Sequence, residues 1–347
     1  MSTHQPRDRG APRATIRDVA ALAGVGIKTV SRVINNEDNV SPQMRERVES
    51  AVAALKFQPH IGAGTLRRGD RKTYAIGLLT DSVDNPFSAA VNRAVENVAI
   101  AHNTAVFAAS SDDDPARERS LIQAFIGRRV DGLILTMTQS DHGYLLHERE
   151  QGTPIVFVDR PPNGLIADAV VTDNYEAAGT ATRHLLGFGH RRIAHLGDEL
   201  IIQTAIERRR GFTDAVRAAG LSEGASTSTD NLRSEHEARR AVTELMSIAE
   251  PPTALFTSQN LVTIGAIRAL RDLGLQHLVA VVGFDDIDLA DLIDPPITVM
   301  AQNPQAIGTL AADRVFARLD GDTDPPSTRV VPARLIVRGS GEIPPQD

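Results

Sequence analysis

The sequence predicts an α/β protein in two parts: a small helix-turn-helix unit at the amino end, then a larger body of two lobes, each built on a parallel sheet. Three observations carry this. Residues 15–35, TIRDVAALAGVGIKTVSRVIN, read as two short apolar-faced helices around a glycine turn. From Tyr74 onward, short apolar runs alternate with amphipathic ones, the pattern of βαβ units. The charge divides at the same place: residues 1–72 hold 13 Lys and Arg against 7 Asp and Glu, and the remainder holds 24 against 37.

The elements follow in order. Residues 1–13, MSTHQPRDRGAPR, are polar and basic, lack the apolar segment of a signal peptide, and are expected to be a disordered tail. Thr15 and Asp18 have the spacing of a capping box with Asp in the third position. Ile16, Val19, Ala20 and Ala23 recur at helical spacing, and Gly24 supplies the left-handed stop. Val30, Val33 and Ile34 give the second helix its own buried face, which leaves Ile27, Lys28, Ser31 and Arg32 outside. Residues so placed on a helix-turn-helix are the ones presented to base edges in a DNA major groove. Ser41 followed by Pro42 starts a third helix, whose inner face is Met44, Val48, Ala51, Val52 and Leu55. A helix-turn-helix domain over 14–59 results.

Residues 60–72, HIGAGTLRRGDRK, form a linker, made a poor isolated helix by Gly62 and Gly64. Beyond it, YAIGLLT, TAVFAAS, GLILTM, PIVFVDR, AVVTD, RIAHLGD, ALFTSQ and VAVVGFDD are strands, enough for two sheets. Helices are expected over 89–101, 115–126, 175–186, 208–219, 236–247 and 261–273.

Ligands of open parallel sheets bind outside the carboxyl ends of the strands. The polar residues there are Asp81, Ser110, Ser111, Asp112, Asp159, Arg160, Asp173, Asn174, Asp198, Asn260, Asp285 and Asp286. Carboxylates accept from vicinal hydroxyls and arginine donates in a fixed fork, so this inventory suits a sugar better than a phosphate. No glycine-rich phosphate loop, nucleophile elbow or metal-ligand cluster is present in the sequence, so no enzyme, cofactor or metal is expected. The histidines His184, His190 and His195 have spacings that match no helical metal pair and are read as structural. The chain has no cysteine, and no apolar run reaches the roughly 20 residues that span a bilayer, which fits a cytoplasmic protein without membrane contact.

DVAALAGV, TVSRVIN and VSPQMRERVESAVAALKFQP resemble the headpiece of the LacI/GalR family of bacterial transcription regulators. NPFSAAVNRAVE, RRVDGLIL, IVFVDRP, VVTDNYEAAGTATRHLLGFGHRRIAHLGD, PPTALFTSQNL, VVGFDDIDLADLIDPPITVMAQNP and RLIVRGS resemble that family's effector module, itself similar to periplasmic sugar-binding proteins. Seven such stretches in order are far more specific than any one of them.

The resemblance implies a homodimeric repressor of sugar or carbohydrate utilisation genes, bound to a pseudo-palindromic operator and controlled by a small ligand, expected to be a sugar, in the inter-lobe cleft. It makes 60–72 a hinge whose Leu66, one turn after Ala63, wedges into the operator's minor groove. Residues 73–347 become an effector-binding and dimerisation domain, with lobe crossings near 173, 301 and 328. Ile27, Lys28 and Arg32 are the expected base readers, while Thr15, Ser31 and Asn35 hold phosphates. Gly26 stands where a serine is usual. The expected effector set is Asp81 and Asp285 from the strand ends together with Phe87, Asp159, Arg160, Arg208 and Asn260, which the resemblance matches to the family's pocket, with Asn85 beside Phe87. Asn260 replaces the usual aspartate, and Ile202 stands where purine-sensing members carry arginine. The terminal GEIPPQD contains no heptad segment, so a dimer is expected before a tetramer.

Overall fold

The computed structural model describes residues 14–34, 37, 39–57, 72–138, 141–221 and 226–346. The chain divides into two compact units, Met1–Thr73 and Tyr74–Asp347. The tail over 1–13, Asn35, and the linker residues Ala63 and Leu66 lie outside the described residues.

In the first unit, helix α1 (Ile16–Ala23) begins at the expected capping box: Asp18 accepts from the Thr15 backbone and hydroxyl at 2.7 Å, and Thr15 Oγ1 accepts from Asp18 N at 3.4 Å. Gly24 ends it at φ 62°. Helix α2 (Ile27–Ile34) and helix α3 (Pro42–Ala54) complete the unit, the latter capped by Ser41 with Pro42 in its first turn. Val19, Val30 and Val48, all fully buried, meet at the centre. Arg47 ties α3 to the end of α1 by donating to Ala23 O at 2.6 Å. Met44 departs from the expected inner face: it is 45% exposed, because this core closes around Val48 and Ala51.

The second unit contains two sheets. The first comprises β1 (Ala75–Thr80), β2 (Ala105–Ser110), β3 (Gly132–Leu135), β4 (Ile155–Val158), β5 (Asp168–Thr172) and β11 (Thr328–Val331), in the order β11-β5-β4-β3-β1-β2. The second comprises β6 (Ile193–Leu196), β7 (Ser226–Thr229), β8 (Ala254–Thr257), β9 (Ala280–Phe284), β10 (Thr298–Ala301) and β12 (Arg334–Ile336), in the order β12-β10-β9-β8-β6-β7. All pairings are parallel except β10 with β12. The two lobes therefore repeat one strand order. The eight expected strands are present. Strands β7, β10, β11 and β12 lacked a signal: β7 reads STST, and β11 and β12 are short edge strands.

Each sheet is covered on both faces, as parallel strands this apolar require. In the first lobe, α4 (Pro86–Ala101) and α11 (Pro304–Leu319) bury Val91, Val95, Ile307 and Ala311 against Ile76, Leu78, Ile134 and Val156. On the other face α5 (Pro115–Gly127) packs Ile122 and Phe125 on Leu79, Leu133 and Phe157. In the second lobe, α7 (Asn174–Gly187) and α8 (Gln203–Ala218) cover one face, with Ala177, Ala181 and Phe212 on Phe256 and Val282. There α9 (Glu235–Met246) and α10 (Asn260–Asp272) cover the opposite face. A short α6 (Leu146–Glu150) precedes β4. Within each of three helix pairs a glycine allows close approach. A Cβ on Gly211, Gly265 or Gly308 would lie 2.1, 2.4 or 2.6 Å from a carbonyl oxygen of the partner helix.

The chain passes between lobes three times. It leaves the first sheet after Thr172, returns after Ala301, and crosses last at Pro332–Ala333. The last crossing corrects the expected position near 328, because Thr328–Val331 still pair with β5. First and last crossings are tied together, with Ala333 N donating to Asp173 at 2.8 Å.

Candidate functional site

Two groups of side chains stand out, one in each unit. On α2, burial of Val30 and Val33 turns Ile27, Lys28 and Arg32 outward; Ile27 is 41% exposed despite its apolar side chain. Ser31 lies half-buried on the same helix. Arg32 Nε stands 3.6 Å from Glu37. The Thr15 hydroxyl, expected on a phosphate, is engaged with Asp18 in this structure. Gly26 has open space where a side chain would stand, so the missing serine leaves no void to fill.

The second group lies between the lobes, at the carboxyl ends of the strands. Asp159 follows β4 and Asp285 follows β9, both buried and both with left-handed backbones, φ 68° and 69°. Non-glycine residues adopt this conformation at a cost, and such strain concentrates at functional sites. Burial pushes both carboxyls above the ordinary aspartate range; Arg208 pulls both down, Arg160 also lowers Asp159, and Asp81 raises both. Asp198, after β6, is likewise raised by burial.

The guanidinium groups are held by the protein. Arg160 donates to Asp113 and to Met137 O, each at 2.9 Å, and its Nε lies 3.6 Å from Asp159. Arg208, from α8, donates to Asn174 at 2.7 Å and to Ser258 O at 2.8 Å, with its guanidinium 3.8 Å from the Phe284 ring centroid. That stacking is the cation–π arrangement.

Polar contacts bridge the lobes. Asn260 donates to Asn85 at 2.9 Å, while its own oxygen accepts from Leu261 N. Thr172 donates to Gln302 at 2.5 Å, and Gln302 donates on to Asp285 at 2.7 Å. Arg233 reaches Asp113 at 3.8 Å and Glu199 at 3.6 Å. Asp81 is occupied within its own loop, accepting from Asn85 at 3.2 Å and from Ser88. Phe87, Asn260, Asp285, Gln302 and Arg338 line an inter-lobe cavity of about 780 Å³. A smaller one of about 240 Å³ lies by Arg160, His142 and Ile201.

The structure thus gathers Asp159, Arg160, Arg208 and Asp285 into one charged cluster, with Phe87 and Asn260 on the adjoining cavity. It shows three residues that the sequence reading missed. Asp113, not Asp112, meets Arg160; Asp112 pairs with Arg117 on the surface. Gln302 and Arg233 join the lobes. The DDDP run after β2 was the available signal for Asp113, but adjacent aspartates are indistinguishable by spacing. The three histidines pack: His190 bridges Thr253 and Ile343 O at 2.8 Å, His184 pairs with Glu342, and buried His195, its pKa lowered to about 3 by burial, stacks on Phe212.

Comparison with known proteins agrees in both units. The family model for bacterial regulatory proteins of the lacI family matches residues 15–60, and that for the periplasmic binding protein-like domain matches 182–341. The chain is 34% identical over 333 residues to the HTH-type transcriptional regulator PtxS of Pseudomonas aeruginosa, covering 94% of this chain and 96% of that one. It resembles the lac repressor dimer bound to operator and the anti-inducer ONPF, with TM-score 0.84, 24% identity, and coverage of 95% and 99%. It also resembles the complex of the transcriptional regulator CelR with cellobiose, with TM-score 0.68, 30% identity, and coverage of 94% and 100%.

Proposed function

This chain belongs to the lacI family of bacterial regulatory proteins, and on that premise we propose how its residues serve a DNA-binding transcriptional repressor under sugar control. The observation that carries the reading is the outward face of α2, with Ile27, Lys28 and Arg32 exposed over a core of Val30 and Val33. Arg32 reads a guanine edge by a bidentate contact, Lys28 and Ile27 add base contacts, and Ser31 and Thr15 set register on phosphates. Asn35, Ala63 and Leu66 complete the interface from outside the described residues.

The inter-lobe cluster holds the effector. Asp159, Arg160, Arg208 and Asp285 supply the polar groups, Phe87 an apolar ring for a sugar face, and Asn260 and Asp81 hold the cleft around it. Support comes from the acceptor-rich inventory and from the similarity to a regulator solved with cellobiose. Two copies pair on a pseudo-palindromic operator, as the lac repressor structure is a dimer on its operator. Among the described residues no helix is long and apolar enough to cross a membrane. The protein works in the cytoplasm, and its cleft binds without turning ligand over.

Fluorescence anisotropy on the pseudo-palindromes upstream of its own coding region, with and without ribose, glucose or cellobiose, tests this. Salt-sensitive, sequence-specific binding that one sugar alters is expected. Failure to prefer any such site over scrambled DNA would refute it.

A further inference from the structure

The two lobes are joined at one edge and only face each other at the far one. The three crossings lie at the end of each sheet that carries β5, β11, β10 and β12, and β2 and β7 stand at the opposite ends. Four strand spacings of ~4.8 Å put β2 about 19 Å from β5. A rotation of about 3° about the crossings therefore moves the far edge by about 1 Å. The loops that follow β2 and β7 carry Asp113 and Arg233, which meet there across the gap.

Arg233 spans two carboxylates, Asp113 of the first lobe at 3.8 Å and Glu199 of its own lobe at 3.6 Å. Both contacts are ion pairs longer than a hydrogen bond, which closes at about 3.2 Å, so the small rotation supplies the missing distance. Asp113 is built for the contact. Its backbone is left-handed at φ 52°, one oxygen accepts from Arg160 at 2.9 Å and from Thr138 at 3.1 Å, and the other faces Arg233. Asp198, next to Glu199, has its carboxyl raised by burial and, after that, by Asp113 from across the gap. Without Arg233 the far edge would set Asp113 against Asp198 and Glu199, like charges that push the lobes apart.

We propose that Arg233 and Asp113 form a latch at the far edge of the cleft, which holds the lobes together and lets them part when the pair is broken. Asp113 is also the carboxylate that positions Arg160, so lobe closure and the charged cluster share one group. On the effector reading given above, a ligand that engages Arg160 acts on the latch through Asp113. The latch itself does not depend on that reading.

The test reads the distance between the lobes by pulsed electron–electron spin resonance on the full chain, with no sugar and no operator. The chain has no cysteine, so Gln123→Cys on α5 and Thr243→Cys on α9, both exposed, place one label on each lobe. Labelled chain is diluted with unlabelled chain, so that distances between copies drop out. The Arg233 and Asp113 side chains are 45% and 18% exposed. A pair of this exposure shifts an equilibrium by about two- to fivefold, and Arg233→Ala is expected to raise the ratio of open to closed lobes by that factor. Asp113→Asn, a residue that tolerates the left-handed backbone, is expected to do the same, and the double variant no more than the larger single effect. Raising salt from about 0.05 to about 0.5 M is expected to open wild type but not Arg233→Ala, where salt screens only the repulsion that remains. An unchanged distance distribution in Arg233→Ala, additive effects in the double variant, or salt-driven opening that persists in Arg233→Ala overturns the latch. Each of these outcomes leaves the effector reading intact, since the operator titrations above test that separately.

Discussion

Asp159 and Asp285 occupy equivalent positions in the two lobes. Each follows the strand standing third in its sheet, adopts φ near +68°, and donates its backbone N–H to the neighbouring strand, Asp159 to Val170 O at 3.0 Å and Asp285 to Met300 O at 2.9 Å. Two copies of one strand order, facing each other, thus bring two strained and buried carboxylates to a single cleft. Strain and burial both work against stability.

The first prediction concerns pH. The folded protein holds both carboxyls above the unfolded value, so it binds their protons more tightly than the unfolded chain does. Stability from these groups is present below the unfolded value and lost as pH rises through the raised one. The double variant Asp159→Asn/Asp285→Asn is expected to melt close to wild type near pH 4 and increasingly above it toward about pH 8, by ~2–4 °C for each kcal/mol regained. Asparagine tolerates the left-handed backbone, so strain does not confound the comparison. A melting difference that stays flat across that range would disprove the linkage.

Asp168 has the opposite sign. Burial pushes its carboxyl up, but hydrogen bonds from Arg318, Ser327 N and Arg314 outweigh that and hold it below the ordinary range. Arg314 and Arg318 each place Nε at 2.9 Å from it, with side chains only 10% and 15% exposed. Stability from this group is present above the unfolded value and lost as pH falls through the depressed one. Asp168→Ala leaves Arg314 and Arg318 with Asp322 as their remaining acidic partner and is expected to destabilise the larger unit by about 1–3 kcal/mol at neutral pH. Urea unfolding measures it; a loss below about 1 kcal/mol would rule out this ion-pair network as a main tie between β5, α11 and β11.

Gly211 sets the approach of α7 and α8. A Cβ there would lie 2.1 Å from Tyr175 O and 3.1 Å from Ala178 Cβ, so the helices must move apart. Gly211→Ala is expected to cost about 1–3 kcal/mol, the range for overpacking, despite alanine's better helix propensity. Gly127→Ala, where nothing lies within 4 Å, serves as the control and is expected to be neutral or slightly stabilising. Equal melting temperatures for the two variants would contradict the packing argument.

Arg32 and Glu37 couple in the smaller unit. Their contact at 3.6 Å is half exposed and worth only about 0.2–1 kcal/mol, so operator DNA competes with it readily. Arg32→Ala is expected to weaken specific binding by about 1–3 kcal/mol per half-site and to relax preference at one base position. Glu37→Gln is expected to bind at least as tightly as wild type, and to add nothing once Arg32 is alanine. Anisotropy titrations of the four proteins form the cycle; full additivity would show that Glu37 does not restrain Arg32.

Local chemistry wrote much of this protein into its sequence. The Thr15/Asp18 box, the Gly24 stop and the Ser41-Pro42 start each rest on groups within a few residues, and the structure forms all three. Apolar runs marked the central strands, since strands covered on both faces need no partner to be recognised. Strands β7, β11 and β12 sit at or near sheet edges, and their short, partly exposed sequences lack that mark. The sequence also placed Asp159, Arg160 and Asp285 at strand ends, where a parallel sheet puts its ligands.

Only the tertiary structure decided which of these groups meet. Arg160 selects Asp113 over its neighbour Asp112 because the loop after β2 turns one carboxylate inward and leaves the other in solvent. Asn260 finds Asn85 across 175 residues of chain, and Gln302 joins Thr172 to Asp285 at a crossing between lobes. Periodicity reports which face of an element is buried, and capping reports where it ends. Neither reports the register of one lobe against the other, which is fixed by side chains distant in sequence.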